Sequence, residues 1–63
     1  MSRLAHIRRE KGFTQERLAA VSGVPRVTIA RAEAGTVSPS LRTLTKLSDA
    51  LECSIDDLVE RTA

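Results

Sequence analysis

The stretch QERLAAVSGVPRVTIARAEA, residues 15–34, decides the fold. Its apolar residues fall at helical spacing on both sides of a Ser-Gly pair, which predicts two short helices joined by a tight turn. Ala19 is small enough for the second helix to cross closely above it, and Gly23 can adopt the positive φ that redirects the chain. Val24 and Ile29 then attach the second helix to the core. This spacing is typical of a helix-turn-helix unit, although two helices crossing around a glycine also occur in other small bundles.

Further helices are predicted on both sides of this pair, so residues 1–63 form a single all-α domain of five helices. Thr14 is expected to cap the second helix, and Ser54, paired with Asp57, the fifth. The first three helices are predicted over about Ser2 to Lys11, Thr14 to Ser22 and Pro25 to Ala34, and the fifth over about Ile55 to Glu60. The fourth helix is predicted to follow Pro39, with Ser38 as its cap. The remaining side chains expected to face inward are Leu4, Ile7, Leu18, Val21, Ala32, Leu41, Leu44, Leu47 and Leu51. Each helix is too short to be stable alone, so packing must hold them together.

Charge is distributed unevenly along the chain. The formal net charge is only +2, but residues 1–46 carry nine Lys/Arg against three Glu, and residues 47–63 carry five Asp/Glu against one Arg. A basic body with an acidic end favours a polyanionic partner at one face. The alternative at this point is a solvated surface of mixed charge.

Several chemistries are disfavoured by what the sequence lacks. With a single cysteine, Cys53, and a single histidine, His6, it can form neither an intrachain disulfide nor a Cys/His zinc cluster, and we expect no metal and no cofactor. No phosphate-binding glycine loop or catalytic cluster is present, so we expect no enzymatic activity. RNA and single-strand binding are disfavoured because such modules stack bases on aromatic rings, and Phe13 is the only aromatic residue. The absence of a long apolar run predicts a cytoplasmic protein with no membrane partner.

From Arg8 to Leu58 the sequence resembles the phage repressor and Cro family, also called the xenobiotic-response-element family. The residues that carry the resemblance are Gly12-Phe13-Thr14-Gln15, Leu18-Ala19, Ser22-Gly23-Val24, Ile29, Glu33, Gly35, Pro39, Leu44, Leu47, Leu51 and Leu58. The resemblance implies a lambda-repressor-like fold of five helices, in which helices 2 and 3 form the helix-turn-helix. It also implies that the third helix enters the major groove of double-stranded DNA. Pro25 and Ala32 depart from the family pattern, which leaves the angle of that helix open.

The third helix carries the residues that we expect to contact bases. With Ile29 and Ala32 facing inward, helical geometry turns the other side of the helix outward. In such domains the N-terminal residues of this helix meet base edges. Arginine pairs with guanine through two hydrogen bonds, and valine packs on the thymine methyl group. The expected base-contacting residues are therefore Arg26, Val27, Thr28 and Arg31; contact with phosphate alone, or solvation, is the alternative.

The resemblance also implies contacts with the DNA backbone and a structural pair. A glutamine at the position of Gln15 holds a phosphate in this family, helped by the helix N-terminus. Further phosphate contacts are expected from Thr36, Ser38, Ser40 and Arg42. Arg8 and Glu33 are expected to bridge the first and third helices and to brace the DNA-reading helix.

We expect a homodimer acting as a transcriptional regulator on an inverted-repeat operator. Repression by blocking polymerase is the expected mode, and activation by contact with polymerase is equally possible. The expected contact lies at the C-terminal end, where apolar residues are more numerous than one short helix needs: Leu51, Ile55, Leu58 and Val59. Two alternatives stay open. One is an antitoxin or restriction-modification controller of the same fold, with an additional protein partner. The other is a protein-interaction module that has lost DNA binding.

Overall fold

Five helices form at the places that the sequence predicts. The structure, a computed structural model, describes residues 1–59. The helices are α1 (Ser2–Glu10), α2 (Gln15–Ser22), α3 (Arg26–Ala34), α4 (Leu41–Leu51) and α5 (Ile55–Leu58), and residues 1–59 contain no strand. The all-α class is confirmed. Glu60, the last residue of the predicted fifth helix, lies outside the described residues.

The core lies where all five helices meet. α2 packs against both α3 and α4, α1 packs against α3 and α5, and α4 packs against α5. The buried apolar cluster consists of Leu4, Ile7, Leu18, Val24, Ile29, Ala32, Leu47, Leu51 and Leu58. Each helix contributes at least one member, so burial of these side chains holds together helices that would not be stable alone.

Side-chain caps fix the starts of α2 and α5, as predicted. The Thr14 hydroxyl accepts a hydrogen bond from the Arg17 backbone N–H at 3.0 Å. At α5 the Ser54 hydroxyl accepts from the Asp57 backbone N–H, and the Asp57 carboxylate accepts from the Ser54 backbone N–H, both at 3.1 Å. These bonds satisfy backbone donors that have no partner within the helix.

The predicted cap of α4 is wrong by two residues. Ser40, not Ser38, is the N-cap, and its hydroxyl accepts from the Thr43 backbone N–H at 3.2 Å. Pro39 precedes this cap, so it belongs to the loop rather than to the first turn of the helix. Either serine offers the same capping chemistry, so residue type alone does not decide between them.

Two side chains that we expected to be buried are exposed. Val21 is 51% exposed because it lies about 110° around α2 from the centre of the face that Leu18, Ala19 and Ser22 present to the core. Leu41 is 70% exposed, whereas Leu47 and Leu51 at the other end of α4 are buried. α4 therefore contacts the core through its C-terminal turns, and its first residue extends beyond the core.

The turn between α2 and α3 depends on backbone conformation. Gly23 ends α2 with φ 76° and ψ 11°, and its N–H donates to the Ala19 carbonyl at 2.9 Å. The Ser22 hydroxyl accepts from the Val24 backbone N–H at 3.1 Å. No atom lies within 4 Å of the position that a Cβ on Gly23 would occupy, so the site requires glycine for its φ and not for space.

We predict that Gly23→Ala lowers the free energy of unfolding by about 1–2 kcal/mol, since the left-handed conformation places Cβ against the following carbonyl oxygen. Gly23→Asn is the matched control, because asparagine tolerates this conformation better. Chemical denaturation of both variants measures the difference. Equal losses for alanine and asparagine would show that φ is not the constraint at this position.

Candidate nucleic-acid interface

α3 is buried along one side and open along the other. Ile29 and Ala32 are fully buried in the core. Arg26, Val27 and Arg31 are exposed, and Val27 leaves 48% of its surface accessible. Of the four residues expected to contact bases, only Thr28 is half-buried. The exposed side of α3 therefore presents two guanidinium groups and one apolar side chain, while its buried side is packed firmly in the core.

The structure brings Arg8 and Glu33 together across α1 and α3. Arg8 Nε donates to Glu33 Oε2 at 2.6 Å, and Arg8 Nη2 donates to Glu33 Oε1 at 3.1 Å. Arg8 Nη1 donates to the Phe13 carbonyl at 2.7 Å. The two side chains are only 8% and 7% exposed. This bidentate geometry, in which the guanidinium also binds a backbone oxygen, is the kind that compensates for taking two charges out of water.

Glu33 is ionised in this setting. Burial alone would raise the pKa of Glu33, but the hydrogen bonds from Arg8 and Gln15 and the positive charge of Arg8 outweigh burial, and the pKa lies below its ordinary value. The hydrogen bond with Glu33 in turn raises the pKa of Arg8. A charged pair is thus maintained at neutral pH between the first helix and the last turn of α3.

Gln15, the first residue of α2, joins this pair to the exposed start of α3. Its side-chain Nε2 donates to Glu33 Oε1 at 3.1 Å, and its Oε1 accepts from Arg26 Nη1 at 3.3 Å. Sequence reasoning placed Gln15 at the DNA backbone and did not foresee either contact. The partners are 18 and 11 residues away in sequence, so no local pattern could have indicated them.

The four residues expected to contact phosphate beyond Gln15 are all exposed, but two already have intramolecular roles. The Thr36 hydroxyl donates to the Arg31 carbonyl at 3.1 Å, at the C-terminal end of α3. Ser40 caps α4, and its hydroxyl also donates to Thr43 Oγ1 at 3.1 Å. Ser38 lies in the loop and Arg42 in the first turn of α4. Contact between phosphate and these four residues stays a prediction.

Comparison with known families decides the class of protein. The profile described as Helix-turn-helix matches residues 4–58. The chain belongs to the helix-turn-helix family. α2, the Gly23 turn and α3 are its helix-turn-helix unit, and the resemblance to phage repressors and Cro proteins is confirmed.

Relatives within the helix-turn-helix family carry regulatory names. YonR, an HTH-type transcriptional regulator from the SPbeta prophage of Bacillus subtilis, is 42% identical over 60 residues, which are 95% of this chain and 56% of YonR. The regulator y4dJ of Sinorhizobium fredii is 41% identical over 97% of this chain and 79% of its own length. A regulator of Archaeoglobus fulgidus is 40% identical over 90% and 81%. The chain thus spans little more than half of YonR and about four fifths of the other two.

A solved structure shares the fold of this helix-turn-helix protein. The restriction-modification controller protein C.AhdI from Aeromonas hydrophila superposes with a TM-score of 0.87 at 36% identity. The match covers 92% of this chain and 88% of C.AhdI. The fold of this chain is therefore shared with a known restriction-modification controller protein.

Two of the four residues expected at a dimer contact are unavailable for one. The side chains of Leu51 and Leu58 are 1% and 0% exposed, because both complete the core of a single copy. Ile55 is half-buried and Val59 is 40% exposed. Of the four residues predicted to contact a second copy of this helix-turn-helix protein, only Ile55 and Val59 have side chains that remain accessible.

Cys53 is half-buried beside the core, and burial raises the pKa of its thiol, which keeps it protonated. Residues 1–59 hold no group of three or more side chains placed to bind a metal ion. None of their helices is long and apolar enough to cross a membrane.

We predict that Glu33→Ala lowers the free energy of unfolding by about 3 kcal/mol, because it leaves the Arg8 guanidinium buried without a counter-charge. Glu10→Ala is the matched control, since Glu10 is an exposed glutamate on α1 whose partner is the exposed His6. Its loss should stay within about 0.5 kcal/mol. Thermal and chemical unfolding measure both, and equal losses would contradict the role given to the buried pair.

Proposed function

We propose that this protein binds a specific sequence of double-stranded DNA through α3 and regulates transcription, as a homodimeric repressor on an inverted-repeat operator. One observation carries the proposal. Within a helix-turn-helix unit, α3 buries Ile29 and Ala32 completely and leaves Arg26, Val27 and Arg31 facing outward. A binding role, rather than a catalytic one, fits this arrangement.

The chemistry of α3 suits a major groove. Arg26 and Val27 lie in its first turn, the part of such a helix that meets base edges. An arginine recognises guanine by donating to O6 and N7, and the Val27 methyl groups can pack against a thymine methyl group. Arg31 lies one turn further along the exposed side. These three side chains would supply sequence preference, with Thr28 closer to the core.

Backbone contacts would come from the elements on either side of α3. Gln15 lies at the N-terminus of α2, where free backbone N–H groups favour a phosphate. Arg42, in the first turn of α4, supplies a positive charge beyond the other end of α3. Each cation that replaces a condensed counterion makes binding weaken with salt. Phosphate contacts thus orient the domain, and α3 reads the sequence.

A symmetric pair of domains fits the length of DNA that α3 can read. One such helix contacts few base pairs, and two helices separated by one turn of DNA, about 34 Å, read a two-fold symmetric site. Ile55, the first residue of α5, is half-buried, and Val59, which follows the helix, is exposed; these apolar side chains support this assembly. An occupied operator would exclude polymerase from the promoter.

A second role, control of restriction-modification genes, is favoured by one observation. C.AhdI, named as a restriction-modification controller protein, shares the fold over 92% of this chain. Binding to DNA is common to both roles, and the genes beside the binding sites differ. Mapping the bound sites in the genome separates them, since sites upstream of restriction-modification genes favour a controller.

Selection of binding sites from random duplex DNA tests the proposal. We predict a two-fold symmetric motif with half-site centres about 10 base pairs apart. Arg31→Ala should flatten the preference at one base pair of each half-site, with a loss of about 1–3 kcal/mol in discrimination. Quantitative titration of single-base operator variants measures this loss.

Arg3→Ala is the matched control for that experiment. Arg3 is also an exposed arginine, but its Nε donates to the Asp57 carbonyl at 2.8 Å, at the α5 side of the domain. Its removal should leave the selected motif unchanged. A motif without symmetry would contradict the homodimer, and no enriched motif at all would favour a protein-interaction module of this fold.

A further inference from the structure

Three consecutive side-chain interactions connect the interior of the domain to the exposed start of α3. Arg8 binds Glu33 through two hydrogen bonds, Glu33 Oε1 accepts from Gln15 Nε2 at 3.1 Å, and Gln15 Oε1 accepts from Arg26 Nη1 at 3.3 Å. Exposure rises along the row, from the buried Arg8 to the exposed Arg26. We call these four side chains the polar row.

The polar row leaves only one orientation for the Gln15 amide. The two ends of a glutamine amide have nearly the same shape but opposite hydrogen-bonding character. A carboxylate can only accept hydrogen bonds and a guanidinium can only donate them. With Glu33 on one side and Arg26 on the other, the NH2 group must face Glu33, and the oxygen must face Arg26.

Arg8 stabilises this orientation of the Gln15 amide by fixing the Glu33 carboxylate. Its two hydrogen bonds hold the Glu33 carboxylate in place between α1 and α3, and both side chains are nearly inaccessible to water. Glu33 therefore presents a fixed acceptor to Gln15. The amide oxygen is in turn a fixed acceptor for one amino group of Arg26, whose other nitrogens can still donate to a ligand.

We propose that Glu33 is a positioning residue for sequence readout: acting through the Gln15 amide, it orients the Arg26 guanidinium toward its base. This inference rests on the proposed function, since it assumes that Arg26 reads a base. A long side chain held in one orientation before binding loses less conformational freedom on binding, and it adapts less readily to a mismatched base, so its discrimination between bases is greater. Arg31 has no such tether, because its side chain makes no hydrogen bond or ion pair with the residues that the structure describes, and it serves as an internal reference.

Single-base operator titrations of Gln15→Met and Glu33→Gln test the inference. Arg26→Ala and Arg31→Ala first identify the base pair that each arginine reads. Methionine keeps the length of residue 15 without its amide, and glutamine at residue 33 can face the Gln15 amide with either end. We expect both variants to lose about five-fold or more of the discrimination at the Arg26 base pair, and to retain it at the Arg31 base pair.

Combination with Arg26→Ala separates positioning from general structural damage. In that background neither variant should reduce discrimination further at any base pair, and thermal unfolding reports any loss of stability separately. The inference is overturned if either Gln15→Met or Glu33→Gln keeps discrimination at the Arg26 base pair within about two-fold, or if the loss is equal at every position. It is also overturned if Arg26→Ala flattens no position while the wild type remains sequence-specific. A wild-type protein with no sequence preference overturns the proposed function, and this inference with it.

Discussion

The buried ion pair between Arg8 and Glu33 is the interaction on which the position of α3 depends. Apolar contacts hold α3 on the core through Ile29 and Ala32, but such contacts have little directionality. The bidentate pair, at 2.6 and 3.1 Å, adds a directional link between α1 and the last turn of α3. Removing one partner leaves the other charged and buried, so the link is costly to break.

The same carboxylate connects stability with recognition. Glu33 Oε1 binds both Arg8 and Gln15, and Gln15 binds Arg26 at the exposed start of α3. Burial of the first members makes the row rigid, and exposure of the last member makes it available to a ligand. The fold thereby holds Arg26, the side chain that we propose to read a base, through contacts with buried groups.

Local signals in the sequence were sufficient for the helices and for part of the interface. Gly23, Thr14 and the Ser54–Asp57 pair carry their conformational preferences in their own chemistry, so the turn and two caps could be predicted. The outward face of α3 followed from helical periodicity, since Ile29 and Ala32 define the buried side. The resemblance to the phage repressor and Cro family implied a bridge between Arg8 and Glu33, and the structure brings these two side chains together.

Features that depend on tertiary packing could not be predicted in the same way. Ser38 and Ser40 have equal capping ability, so the sequence alone could not show that Ser40 is the cap. Leu41 and Leu51 belong to the same apolar face of α4 in the sequence pattern. Leu41 is exposed and Leu51 is buried, because only the C-terminal end of the helix reaches the core. The contacts of Gln15 arise between residues far apart in sequence. Whether Leu58 completes the core of one copy or contacts a second copy likewise depends on how the helices pack.

We propose that the exposed side of α3 is the surface that contacts DNA. An NMR titration of the ¹⁵N-labelled protein with a duplex carrying the selected site tests this directly. We expect the largest shifts at Arg26, Val27, Arg31 and Gln15, with the core residue Leu47 little changed. Shifts concentrated around Ile55 and Val59, with α3 unaffected, would show that DNA does not bind at α3.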